Sequence, residues 1–332
     1  MTIKDIAREA GVSIATVSKI INGRDENISE ATRNRVKKVI QENNYVTNSI
    51  ARGLKTKRTN IIGFILPDIV NPYYPEIARG IEDAARDRGF GVIFCNTDNK
   101  LEREMECIQF LKSKMVDGII YPRTLNGSDA ESIKDLNLPI VIVDRFVETY
   151  GMKKIGKVYV DVARAIYEST FILYKAGCRN IALISSLYTS KNDRFYGYVQ
   201  ALADLNLPYR EDLIYLGEFN IETGYKGTGS ILEKHKDIDG IVCGNDLIAI
   251  GVLDLLREKK INVPKDIKII GLDNIYLSNY TNPKLSTMEQ PTRELGKIAA
   301  NMLIDYIKDG KPLRECVLSH KYIHRESVLY KL

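Results

Sequence analysis

The chain has 332 residues, 44% apolar and 27% charged, which excludes a disordered or fibrous protein and allows two or three domains of roughly 100–200 residues each. The net charge is +5 but unevenly placed: residues 1–59 carry twelve Lys/Arg against six Asp/Glu, and the remaining 273 carry 36 against 37. A basic amino-terminal segment beside a neutral bulk suits a phosphate backbone, where Lys and Arg gain by releasing condensed counterions; an ordinary solvated surface would read the same way.

The cysteines, Cys95, Cys107, Cys178, Cys243 and Cys316, are scattered without a C-x-x-C pair. Cys95 and Cys243 sit in apolar runs, where a thiol packs as a small hydrophobe. No disulfide, metal site or cofactor is expected. The amino terminus lacks a signal-peptide run and no stretch approaches ~20 consecutive apolar residues, so a cytoplasmic location is expected.

Thr2 and Asp5 read as an N-cap with an acidic first turn, opening a helix to about Ala10 with Ile3, Ile6, Ala7 and Ala10 on one face. Gly11 permits a sharp turn. Ser13 caps a second helix, Ile14 to about Ile21, burying Val17, Ile20 and Ile21, and Asn22-Gly23 ends it. Ser29 caps a third, to about Asn43, with Ala31, Val36 and Ile40 inward. This is the helix-turn-helix pattern, in which the second helix enters the major groove by its amino-terminal end. Its outward side chains are then Ile14, Ala15, Thr16, Ser18 and Lys19: hydroxyls for base edges or phosphates, a cation for guanine, and apolar groups for a thymine methyl. A three-helix packing module without nucleic acid would show the same pattern. Asn48–Leu54 is a short amphipathic linker, too short to persist as an isolated helix.

From Asn60 apolar strand runs alternate with amphipathic helices. Strands are expected at Ile61–Leu66, Gly91–Asn96, Gly118–Tyr121, Pro139–Val143, Asn180–Ser185, Gly240–Cys243 and Lys268–Leu272. Helices are expected at Tyr74–Arg88, Leu101–Lys114, Val162–Ala176, Asn192–Leu205, Ile221–Lys236 and Asp246–Lys259, with Gly156–Val162 a link. Two runs of such alternation imply two α/β lobes with parallel sheets, ligands binding beyond the carboxyl ends of the strands.

The run Ile3-Lys4-Asp5-Ile6-Ala7, Ala10-Gly11-Val12-Ser13, Thr16-Val17-Ser18 and Asn22-Gly23, continued by Asn44–Asn48 and Ile50–Leu54, resembles the headpiece and hinge of the LacI/GalR family of transcription regulators. The remainder resembles that family's periplasmic-binding-protein-like type I core through Asn71–Tyr74, Gly80-Ile81-Glu82, Val116-Asp117-Gly118, Val143-Asp144-Arg145, Gly244-Asn245-Asp246, Gly271-Leu272-Asp273 and Met288–Pro291. The ribose-repressor and catabolite-control-like subgroup fits best. The resemblance implies an all-α helix-turn-helix headpiece at 1–47, a hinge and linker at 48–59, and an effector-binding and dimerisation domain at 60–332. Within that domain the N-lobe would take about 60–160 and 290–320, and the C-lobe about 161–289 and 321–332. Three chain crossings are placed near Val160, near Met288 and near Ser319–Arg325.

The resemblance also implies the partners and the sites. DNA contacts are expected from Ser13, Ile14, Ala15, Thr16, Ser18, Lys19, Asn22 and Arg24, and from the hinge residues Ala51, Leu54 and Lys55. Leu54 holds the place of the family's minor-groove wedge, and an apolar wedge flanked by cations kinks DNA at a central step. Ile14 and Ala15 stand where some relatives carry polar base readers. Effector contacts are expected from Tyr73 and Tyr74, placed in the loop after the first strand, and from Arg123, Asp144, Arg145, Arg194, Phe219, Asn245, Asp273 and Gln290. Aromatic faces with Arg, Asp, Asn and Gln suit a polyhydroxylated ligand; Arg123 with Arg145 or Arg194 would suit a sugar acid or phosphate. Taken singly, each of these is equally a core ring, a solvated ion pair or a cap.

The expected protein is therefore a repressor of carbohydrate-metabolism genes, a homodimer on a pseudo-palindromic operator, controlled by a small sugar or sugar derivative, with no membrane partner. No leucine-heptad tail follows Tyr322–Tyr330, which favours a dimer over a tetramer. The alternatives are a global regulator answering to a phosphorylated carrier protein, or a sugar-processing enzyme on the same scaffold. The enzyme reading lacks its chemistry: Gly224–Gly229 lies within a helical run without a G-K-[ST] ending, and His235, His320 and His324 have no metal spacing.

Overall fold

The computed structural model describes residues 1–21, 23–45, 58–122, 136–144, 154–186 and 193–329, in two compact units, Met1–Thr59 and Asn60–Leu332.

In the first unit three helices form around one small core. α1 (Ile3–Glu9) opens with a capping box, the Thr2 hydroxyl accepting from the Asp5 N–H and the Asp5 carboxylate from the Thr2 N–H, which satisfies amino-terminal donors that the helix cannot. Gly11 takes φ +62° at the turn, and the Ser13 hydroxyl accepts the Thr16 N–H at 3.1 Å to start α2 (Ile14–Ile21). Ser29 caps α3 (Glu30–Glu42) through the Thr32 N–H. Ile6, Ala7, Ala10, Val17, Ile20, Val36 and Val39 are buried together. Ala31, expected inward, is exposed. It lies five residues before Val36, about 140° off the apolar face at 100° per residue, and Val39 fills the core instead.

The second unit is built on two six-stranded sheets. The first contains β1 (Ile61–Leu66), β2 (Gly91–Asn96), β3 (Gly118–Tyr121), β4 (Ile140–Val143), β5 (Ile155–Val160) and β11 (Glu315–Leu318), in the order β11-β5-β4-β3-β1-β2, with every pairing parallel. The second contains β6 (Ile181–Ser186), β7 (Ile214–Gly217), β8 (Gly240–Cys243), β9 (Lys268–Asp273), β10 (Ser286–Glu289) and β12 (Lys321–Ile323), in the order β12-β10-β9-β8-β6-β7. Only β12 runs antiparallel. The two lobes therefore repeat one topology, with β4 and β9 in equivalent places. The chain passes between sheets after β5, after β10 and between β11 and β12. Residues 155–160, expected as part of a link, form a full strand, because β4 and β11 flank them on both sides.

Both faces of each sheet are covered, as parallel strands require. α4 (Tyr73–Asp87) and α10 (Thr292–Asp309) pack on one face of the first sheet, and α5 (Leu101–Ser113) on the other. In the second lobe α8 (Ile221–Lys234) and α9 (Asp246–Glu258) cover one face, and α6 (Val162–Lys175) and α7 (Asp193–Asp204) the other. Helix pairs cross on glycine: a Cβ on Gly80 would stand 2.1 Å from the Arg293 carbonyl oxygen, and one on Gly224 would stand 1.9 Å from that of Ile248. Gly224, in the segment that superficially resembles a phosphate loop, thus serves helix packing. The cysteines are all free thiols, and no helix among the described residues is long and apolar enough to cross a membrane.

Candidate functional site

In the headpiece the two faces of α2 divide as the spacing requires. Val17 and Ile20 turn inward, while Ser13, Ile14, Ala15 and Lys19 are exposed and Thr16 and Ser18 half-buried. The Thr16 hydroxyl lies 2.9 Å from that of Ser13, so two hydroxyls are presented together at the helix start, where unpaired N–H groups favour a phosphate. Arg24 is exposed in the following loop. That loop is pinned from α3 by Arg33, whose Nε donates to the Asp25 carboxylate at 2.5 Å and whose terminal nitrogen donates to the Asp25 carbonyl at 3.0 Å. Arg33 went unnoticed in the sequence; its signal was an arginine one helical turn after the Ser29 cap, opposite an acidic loop. Asn22, Ala51, Leu54 and Lys55, together with the expected hinge helix, lie outside the described residues.

In the second unit the described effector candidates stand at or shortly after the carboxyl ends of strands, or in the first turn of the helix that follows. Tyr73 and Tyr74 form the first turn of α4 rather than the preceding loop. Asp144 follows β4 and Asp273 ends β9. Gln290 follows β10, Phe219 follows β7, Asn245 follows β8, and Arg194 is the second residue of α7. Arg123 and Arg145 lie outside the described residues.

Five of these side chains form one buried hydrogen-bonded group spanning both lobes. The Tyr73 hydroxyl donates to Asp144 Oδ1 at 2.7 Å and lies 3.2 Å from Gln290 Oε1; Tyr74 donates to Asp144 Oδ2 at 3.3 Å; Gln290 Nε2 donates to Asp273 Oδ1 at 2.7 Å. A phenol has one proton, so the shorter contact to the carboxylate is the principal one. Arg194 donates from Nε to the Gly244 carbonyl at 2.9 Å, and its guanidinium lies 4.6 Å from the centre of the Phe219 ring. The Asn245 side-chain oxygen Oδ1 accepts the Ile248 N–H as the cap of α9. Capping therefore occupies one end of Asn245 and leaves its amide nitrogen for other use.

Asp144 and Asp273 carry positive φ, +70° and +116°. Such positions are costly outside glycine, by about 1–3 kcal/mol each, and persist where surrounding structure enforces them, often at binding sites. Burial pushes the Asp273 carboxyl well above the usual range; Asp246 and Asp144 add to this, and Arg194 and Gln290 oppose it. Burial likewise raises the Tyr73 phenol, helped by Asp144 and Asp273.

Asp246 is the residue the sequence reading missed. It is wholly buried at the first position of α9. Its Oδ1 accepts from the Thr287 hydroxyl at 2.6 Å and its Oδ2 from the Ile275 N–H at 2.9 Å. Burial raises its carboxyl to about 7, against the bonds from Thr287 and Ile275. The signal was an acidic residue soon after an apolar strand, the pattern that marked Asp144.

A basic helical headpiece joined in one chain to a two-lobed α/β unit, with polar side chains converging at its strand ends, defines a ligand-responsive DNA-binding protein. Residues 2–48 match the profile of bacterial regulatory proteins of the lacI family, and residues 172–328 match a periplasmic binding protein-like domain. The chain is 39% identical over 334 residues to the HTH-type transcriptional regulator RegA of Clostridium saccharobutylicum, covering 99% of both chains. It is similar to a LacI family regulator of Enterococcus faecium solved with bound ribose, at 31% identity and TM-score 0.71 over 81% of this chain and 98% of that one. The lac repressor dimer bound to operator shares the fold, with TM-score 0.86 over 99% of both chains at 22% identity. The chain belongs to the LacI family, whose members are DNA-binding transcription regulators and not enzymes.

Proposed function

We propose that this regulator represses carbohydrate-metabolism genes in the cytoplasm, as a homodimer on a pseudo-palindromic operator, and that a small sugar bound between the lobes controls it. One headpiece would sit on each half-site, with the exposed start of α2 in the major groove and paired Leu54 side chains at the central minor-groove step. Phe94 on edge strand β2, and Met105, Phe110 and Met115 on α5 and the turn after it, stand exposed, apolar side chains of the kind that contact between copies covers.

The observation that carries the effector reading is the hydrogen-bonded group Tyr73–Asp144–Gln290–Asp273, assembled from both lobes. Its carboxylates accept hydroxyl protons, Arg194 and Asn245 supply donors, and the aromatic rings offer faces to an apolar sugar edge. The ribose-bound relative makes ribose the first ligand to try. A ligand that prefers one closure state of the lobes shifts the population of that state, and so the fit to operator.

The test is a thermal-shift and operator-binding screen of neutral sugars, sugar acids and sugar phosphates on the full chain and on Arg194→Ala. A ligand at about 100 times its Kd stabilises by ~2.7 kcal/mol. One class should raise Tm and change operator affinity in the wild type, and do neither in the variant. A response retained by Arg194→Ala removes that residue from the site; a folded dimer that prefers no fragment of its genome over random DNA refutes the reading.

A further inference from the structure

Asp144 and Asp273 stand at equivalent ends of β4 and β9 in the two repeated lobes, and both are buried. Asp246, at the start of α9, acts on Asp273. From Asp246 the chain continues into Leu247 and Ile250, which pack with Ile275 and Leu277 against the apolar cluster of the first lobe. The loop carrying Ile275 is held to α9 by the Asp246 carboxylate. Three carboxyls thus lie at the seam where the lobes meet.

The groups facing them are Tyr73 and Tyr74 from α4, Arg194 from α7 and Arg325 from the carboxy-terminal segment, with Glu289 at the end of β10 facing Arg325. The described bonds of both arginines go to neutral oxygens: Arg194 to the Gly244 carbonyl, and Arg325 to Ser278 Oγ, Asn274 Oδ1 and the Leu285 carbonyl.

We propose that closure of the lobes takes up a proton on the Asp246–Asp273 pair, which makes the seam a pH-responsive latch whatever effector the cleft receives. Closed, Asp246 and Asp273 are dry, and Asp273 is repelled by both Asp246 and Asp144; opening hydrates Asp273 and moves it away from Asp144, so the pair ionises more readily in the open form. The direction found for Asp246 and Asp273 agrees. Since the closed form holds the proton more tightly, closure is favoured at low pH, and that advantage is lost as pH rises through the closed-state value. With one linked proton, the opening constant grows about tenfold per pH unit between the open-state and closed-state values and levels off above the closed-state value.

Two measurements on the full-length protein, free of DNA and sugar, test this. Infrared difference spectra between about pH 6 and about pH 8 should show a protonated carboxyl stretch lost at the higher pH. Hydrogen exchange of the Ile275, Ser278 and Tyr280 amides, corrected for intrinsic rate, should report opening that rises with pH in the wild type and stays flat in Asp246→Asn. Absence of the protonated stretch at the lower pH overturns the proposal, as does a wild-type slope in Asp246→Asn. Should that variant not fold, Asp273→Asn must flatten the slope in its place. A slope surviving both substitutions would arise outside the carboxyl pair and would refute the latch.

Discussion

Replacing Tyr73 by Phe deletes one oxygen at the centre of the interlobe group, and the structure sets the cost. The hydroxyl donates to a buried carboxylate at 2.7 Å, and a hydrogen bond to a charged acceptor contributes about 1.5–3 kcal/mol. Tyr74 still donates to the second oxygen of Asp144, at the longer 3.3 Å, so the site retains a partner and the loss should fall near the middle, about 2 kcal/mol. For a unit of this size that lowers Tm by about 3–4 °C. Calorimetry of Tyr73→Phe, Asp144→Asn and the double variant isolates the pair, with a coupling energy of about 1–2 kcal/mol expected. Additivity within about 0.5 kcal/mol would show that Tyr73 and Asp144 do not act together, and the reasoning about the group would fail.

Gly80→Ala should destabilise the second unit by about 1–3 kcal/mol, because the added Cβ meets a backbone oxygen and α4 and α10 must part; the same is expected of Gly296→Ala, whose Cβ would stand 2.2 Å from the Ile77 carbonyl oxygen. An unchanged Tm in either variant refutes the close crossing. In the headpiece, Lys19→Ala should weaken operator binding and, if Lys19 contacts phosphate, lower the slope of log affinity against log salt by about one. Fluorescence anisotropy over a salt series measures it; an unaltered slope with loss of discrimination at one base would assign Lys19 to guanine instead.

The headpiece was legible because its determinants are local. Thr2, Ser13 and Ser29 each cap a helix through a hydroxyl bonded three residues on, and the spacing of Ile6, Val17 and Val36 turns three short stripes to one core. Ala31 misled because a single alanine on a charged helix carries little facial information. In the larger unit, apolar strands buried on both faces are plain, whereas β5 reads as a link, β10, β11 and β12 are represented only by the crossings near Met288 and Ser319–Arg325, and β7 and α10 carry no clear signal. β5 alternates buried with half-buried positions and includes Gly156 and Lys157. β7 is an edge strand, and β11 pairs with β5 across more than half the unit.

The amino-acid sequence by itself determined where the apolar strands end, and so the place of Asp144 just past one, where ligands gather in parallel sheets, while its resemblance to the LacI/GalR family implied Arg194, Asn245, Asp273 and Gln290. It could not tell which of them meet. Only the tertiary structure set Asp144 of one lobe near Asp273 of the other through Tyr73 and Gln290, and folded Thr287 and Ile275 back onto Asp246. Desolvation and like-charge repulsion arise where distant surfaces close on each other, and no local window of residues contains both surfaces.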